Sequence, residues 1–422
     1  MRRSLSLAAL CVAVLLLCSG ARAENWPRFR GPNGQGLSDA TTLPVKWTAQ
    51  DYNWKVKLPG EGHSSPVVWE DRIYVTCAGA SATRIVSCLN VADGRILWQR
   101  DFPSHKYGQN AQNGFATASP AADGEGVVVA WTTPEEVTLL VLDREGKDAW
   151  RRNLGPFVSM HGSGTSPIIL NDLVILSNEQ GDVNTIKKPA EAPKSVILAF
   201  DRRTGKTRWE LPRRVTIAVY ATPCIWQAPN GQTQLIFISM SHGFSGVDPA
   251  TGKVLWETKD ILKECVGSPV LAGDLAIAGD SYFEQGGHYV AVKMPSQADQ
   301  QPTIAWEIPK PVPRVTTPVI YKDRLYLFSE TGAITCHDVS NGKEIWRERV
   351  PVGFYSSPVC VNGRIYCIAR NGDVMVFPTG DKYELLARIP LGEPTFATPA
   401  ISNGVMYLRT RSQLFSLGGK KQ

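Results

Sequence analysis

Beyond residue 23 the sequence has no apolar run long enough to cross a bilayer as a helix, which would take roughly 20 consecutive residues. It has no long Lys/Arg-rich run, so the electrostatic footprint of a nucleic-acid-binding protein is missing. The six histidines, His63, His105, His161, His242, His288 and His337, are scattered and lack zinc-site spacing. There is no H-E-x-x-H, C-x-x-C, C-x-x-C-H or G-x-S-x-G, which leaves metalloprotease, haem-attachment and serine-hydrolase chemistry without a motif. Asp338 to Glu344 lacks the alternating acids of a calcium loop. Thr204-Gly205-Lys206-Thr207 resembles the tail of a phosphate loop, but Phe200 stands where the first Gly is needed. Gly31 to Gly36 is Gly-rich, yet no strand precedes it and no helix follows. Acid pairs such as Glu135-Glu136 read as solvated.

What is present begins with an export signal over residues 1–23. Arg2 and Arg3 precede the apolar stretch Leu5 to Leu17, and Ala21-Arg22-Ala23 is an A-x-A cleavage site before Glu24. Leu10 and Leu17 stand before Cys11 and Cys18, where lipoprotein processing wants a small residue. Cleavage removes Arg2, Arg3 and Arg22 and lowers the formal charge from +6 to +3. Seven cysteines remain: Cys77, Cys88, Cys224, Cys265, Cys336, Cys360 and Cys367. Cys77 and Cys88 flank a short hairpin and are a candidate bridge. The others read as small buried residues on strands.

A hydroxyl residue followed by Pro recurs eight times, 40 to 56 residues apart: Ser65, Ser119, Ser166, Thr222, Ser268, Thr317, Ser357 and Thr398 each precede a proline. A short, mostly apolar run follows each Pro, then in most copies a tight turn, then a second apolar run. The turns include Asn362-Gly363 and Asn403-Gly404, strong hairpin signals. A second landmark is Gly four residues before Trp, at Trp98, Trp150, Trp209, Trp256 and Trp346. Trp306 lacks the Gly, and Leu385 takes the place of Trp in the seventh unit. Four strands per unit is the pattern of a propeller blade. The eighth copy stops near Leu417 after three strands, while an orphan strand around Trp54 precedes the first copy. The N-terminal strand therefore completes the last blade and removes an edge.

The predicted fold is an all-β, eight-bladed β-propeller with four antiparallel strands per blade. The predicted organisation is a strap over 24–44, the propeller over 45–418 with 45–59 completing blade 8, and a tail over 419–422. The Gly in the Gly–Trp landmark supplies the positive φ of the turn. The Trp residues (Trp54, Trp98, Trp150, Trp209, Trp256, Trp306 and Trp346) are predicted to wedge between adjacent blades.

Ala199-Phe200-Asp201-Arg202-Arg203-Thr204-Gly205-Lys206-Thr207-Arg208-Trp209 resembles the Trp-docking repeat, A-x-D-x-x-T-G-K-x-x-W, of the pyrroloquinoline-quinone (PQQ)-like propellers. Asp248 to Trp256 and Asp338 to Trp346 are close variants. The resemblance covers about Trp26 to Leu417. It implies an eight-bladed propeller and includes both catalytic dehydrogenases and non-catalytic, BamB-like members.

In such propellers ligands meet the mouth of the central channel. The loops leading into the inner strands bring His63, Phe115, His161, Tyr220, Glu264, Arg314, Tyr355 and Phe396 to one face. The loops between second and third strands bring Glu179, Asp280, Glu330 and Arg370. Two loops leading into inner strands are long, Ser104 to Gly114 and Gly155 to Gly164. Any one of these residues alone reads as a water-facing loop side chain; only their convergence makes a binding funnel.

Similarity to BamB implies a non-catalytic scaffold without a cofactor, periplasmic or secreted, monomeric, and binding an envelope protein or a small ligand at its loop face. The alternative is an oxidoreductase using PQQ and calcium, with ligands sought among Glu179, Asp280, Glu330 and Arg314. Those enzymes share a vicinal Cys-Cys disulfide, and no two cysteines are adjacent here. A third reading is a carbohydrate-binding propeller, since aromatics and acids at a funnel suit sugars; no paired carboxylates support cleavage. If the N-terminal strand closes the ring, deleting residues 24–59 gives a protein that aggregates or lacks a cooperative melt. A soluble, cooperatively melting truncation contradicts closure.

Overall fold

The computed structural model describes residues 24–162, 164–182, 184, 193–280, 287–297, 300–309 and 312–419. Residues 1–23, read from the sequence as an export signal, and the end of the tail, 420–422, lie outside them. Eight antiparallel four-stranded sheets follow one another along the chain, the seventh carrying a fifth, parallel strand. Tyr52–Lys57 pairs antiparallel with Gln413–Gly418, so the N-terminal strand does complete the last blade. The strands are short and β-branched-rich, and their two faces both pack against neighbouring blades. That is why the middle strands, such as Gly126–Thr132 and Val137–Asp143, read as nearly continuous apolar runs.

The recurring hydroxyl before proline has a structural role. The backbone N–H of Ser65 donates to Ser119 Oγ, and that of Ser119 to Ser166 Oγ, each at 2.9 Å. The same bond links Thr222 to Ser268, Ser268 to Thr317, Thr317 to Ser357 and Ser357 to Thr398. Thr398 N then donates to Ser65 Oγ at 3.0 Å. These seven bonds form a collar around the propeller axis just before each inner strand begins; among the described residues the step from Ser166 to Thr222 lacks one.

The outer strands are joined by tryptophan. The Trp150 Nε1–H donates to Arg202 O of the next blade at 2.9 Å, and Trp209 Nε1–H to Pro249 O at 2.8 Å. Trp54, Trp98, Trp306 and Trp346 likewise donate to the blade that follows. The glycine of the motif is required twice over. Gly205 has φ +64°, and a Cβ there would lie 2.5 Å from the Trp150 ring. Beneath the indoles, small residues make room: Cys88 opposes Trp98, Ala199 opposes Trp209, and Cys336 opposes Trp346. A register shift accompanies the Trp strand in these blades, re-aiming the side chain as bulges do.

Three expectations need correcting. Trp256 donates to Gln234 Oε1 of its own blade at 2.8 Å, because the fifth blade has no Gly turn to receive it; its ring still packs in a core shared with that blade. In the seventh blade Ala387, not Leu385, occupies the Trp position, opposite Val376. Leu385 is 42% exposed, and without a Trp the sheet shows no register shift. Cys77 opposes Ile85, whereas Cys88 opposes Tyr74. That odd offset puts the two thiols on opposite faces of the sheet, and all seven cysteines are buried and free.

The N-terminal segment, expected as a strap, enters the central channel. Trp26 pairs with Val68 on the inner strand of blade 1. Ala122 N of blade 2 donates to Pro27 O. Asn33 exchanges two bonds with Ile225 of blade 4. Leu271 N of blade 5 donates to Gln35 Oε1. Leu37–Ser38 then adds parallel to the inner edge of blade 7. At its centre Arg30 is fully buried and donates to Gly34 O, Gln35 O, Thr317 O, Pro318 O and Pro358 O. Burial lowers its guanidinium from the usual range to about 9.

Trp209 is 7% exposed and joins blades 3 and 4. Trp209→Ala is expected to destabilise the protein by about 3–5 kcal/mol, measured by denaturant unfolding. A loss under about 1 kcal/mol contradicts the wedge.

Candidate binding site

Above the collar lies a cavity of about 540 Å³, within the roughly 300–1,000 Å³ of small-molecule sites. It is a cup. All eight collar hydroxyl residues line its lower part, with Phe29 of the N-terminal plug among them. Phe29 sits there because its neighbours Arg28 and Arg30 are anchored below, on the carbonyls of Pro223 and of Thr317, Pro318 and Pro358.

Seven predicted funnel residues meet in this cup: His63, His161, Tyr220, Glu264, Arg314, Tyr355 and Phe396. On one wall His63 stacks on Phe396 with ring centroids 4.5 Å apart, and Phe396 meets Tyr355 edge-on at 4.8 Å. Arg370 does not line the cavity; its guanidinium lies 4.6 Å from the Tyr355 ring centre. On another wall His161 Nε2 is 3.3 Å from Glu264 Oε1. Arg314 Nε donates to Glu330 Oε1 at 2.5 Å, so Glu330 is a partner of the wall.

The remaining candidates lie elsewhere. Phe115 is packed under Arg84, 5.0 Å away, and anchors the long loop that precedes it. The Glu179 side chain is fully buried and ion-paired with Arg213 at 3.3 Å. Asp280 is buried beside His288 at 3.6 Å, and burial pushes its carboxyl up.

The sequence reading missed Phe29, Met160 and the amides Asn110, Gln112 and Asn113, all of which line the cup. The length of the Ser104–Gly114 loop was the available signal for the amides. That loop spans the mouth. Asn113 Nδ2 donates to His161 O at 2.8 Å, and Gln112 Oε1 accepts from Arg370 at 2.9 Å on the seventh blade.

Residues 47–292 and 296–383 match the profile of the family described as outer membrane protein assembly factor BamB. The chain therefore belongs to this family of PQQ-like propellers. No curated protein sequence matches it. Among solved structures it is similar to BamB from Moraxella catarrhalis, with 16% identity and TM-score 0.59, covering 86% of this chain and 95% of that one. It is also similar to a europium-containing methanol dehydrogenase, with 13% identity, TM-score 0.64 and coverage of 91% and 89%. The computationally designed protein Ika8 is as alike, with 10% identity, TM-score 0.60 and coverage of 87% and 99%. Likeness at these identities establishes the fold alone.

The alternative expected from the sequence, PQQ with calcium, can be tested against the cup. Calcium takes 6–8 oxygen ligands, normally including several carboxylates. Among the described residues that line it, the cup presents one, Glu264, already beside His161. Among the described residues no cluster of three or more His, Cys, Asp and Glu is arranged for a metal. This donor set does not fit calcium.

Burial, then the charges of Arg409 and Arg411, lowers His63 from its usual 6.5 to about 4. The folded state holds the ring neutral while the unfolded chain protonates it. Stability therefore falls as pH drops from about 6.5 towards 4, by up to about 3 kcal/mol. Replacing His63 by Gln is expected to flatten that limb of the stability-versus-pH curve. An unchanged limb would show that the ring is not buried as described.

Proposed function

We propose that this chain is an exported, non-catalytic propeller of the cell envelope that holds a partner in its cup. What carries the reading is the state of the cup's ionisable groups. His161 faces Glu264 and Arg314 faces Glu330. Each charge is balanced by a neighbour, and the lining offers no second carboxylate to make an acid pair. We read it as a surface for recognition, with the His161–Glu264 contact bracing its wall. Membership of the BamB family and the signal at 1–23 support an envelope location. Among the described residues no helix is long and apolar enough to cross a membrane.

The rival is a PQQ-dependent oxidoreductase, supported by the dehydrogenase neighbours. Calorimetric titration of the mature protein with PQQ, with and without calcium, separates the two. The scaffold reading expects no saturable heat and no turnover with an artificial electron acceptor. One-to-one, calcium-dependent binding followed by turnover overturns it.

A further inference from the structure

The motif Trp26-Pro27-Arg28-Phe29-Arg30-Gly31-Pro32 has a structural task in the plug, yet Phe29 is not needed for it. Trp26, Arg28 and Arg30 are buried, and Phe29 is only half-buried at the cup floor. Around it stands the hydroxyl collar. Seven of the eight collar oxygens, all but that of Thr222, accept a backbone N–H from the preceding collar residue. A hydroxyl that accepts there keeps its own rotatable O–H to donate.

We propose that the cup binds an uncharged saccharide, one ring lying face-on to Phe29 with its hydroxyls reaching the collar. This rests on the cup being the binding site and goes further by naming the ligand class. An aromatic face suits the C–H face of a pyranose, which is apolar there and polar at its rim. Rotatable Ser and Thr hydroxyls match a rim that both donates and accepts. The amides of Asn110, Gln112 and Asn113, held by bonds to His161 and Arg370, make the upper wall of the cup polar. Charge argues against an anionic ligand. An acid group would meet Glu264 and compete with Glu330 for Arg314. The inference concerns binding alone, since no acid pair is present to cleave a glycosidic bond.

The test is saturation-transfer NMR on the mature full chain with chitotriose, cellotriose, maltotriose and laminaritriose. At least one should receive saturation on its ring C–H protons. Phe29→Ala should weaken binding by about tenfold or more, and Phe29→Trp should hold it within about threefold. Val266→Trp, which fills the cup without touching the plug, should abolish it. No transfer to any of the four overturns the proposal. So does transfer that survives both Phe29→Ala and Val266→Trp, which places the sugar elsewhere. A photocrosslinking residue at position 355, used in cells, separates the two readings. Discrete adducts without saccharide binding overturn the sugar and leave the cup; neither signal overturns both.

Discussion

Closing a ring of eight sheets demands that every blade meet two neighbours correctly, and the hydroxyl collar imposes that demand at the axis. Each collar bond joins the start of one inner strand to the start of the next. Singly, such a bond contributes about 1 kcal/mol. Together they fix the angular position of each blade where the blades are closest. The Trp–Gly docking does the same farther out, where the blades diverge and a larger side chain is needed to fill the gap. The two devices explain why the repeat is punctuated by a small hydroxyl at one point and an indole at another.

A closed ring creates its own problem. The inner strand of each blade turns one edge towards the axis, where no strand of the ring remains to pair with its backbone. Unpaired buried carbonyls are costly. The N-terminal plug answers this with donors. Arg30 serves carbonyls from blades 6 and 7, Arg28 serves Pro223, and Asn33 pairs with Ile225. The arginine carries its charge into the channel against a lowered affinity for its proton. That is tolerable because five carbonyl dipoles converge on it. Sealing the channel is what turns the funnel into a cup with a floor.

Fold and binding surface are thus built from the same few residues. The collar holds the ring together through its acceptor side and lines the cup with what remains. The plug satisfies the channel through its arginines and offers Phe29 to the cavity. This economy limits how far the floor can vary without loosening the ring, whereas the rim, made of loops such as Ser104–Gly114, is free to diverge.

The sequence by itself determined the propeller, its eight blades and its closure by the N-terminal strand. Those properties follow from local landmarks repeated at regular intervals, and repetition is visible in one dimension. It also placed His63, His161, Tyr220, Glu264, Arg314, Tyr355 and Phe396 on the correct face, because each lies two to five residues before its Ser/Thr-Pro landmark, in the loop leading into the inner strand. Only the tertiary structure decided the rest. Glu179 and Glu330 stand at similar offsets, yet one is locked on Arg213 inside a blade and the other braces Arg314. Which partner a side chain finds depends on what the other strands and loops of its blade bring alongside, 16 to 34 residues away in these two pairs. The role of Trp26 to Pro32 was least legible of all. Its partners are backbone carbonyls and amides spread around the ring, up to 328 residues distant from Arg30. Backbone groups leave no signature in the sequence.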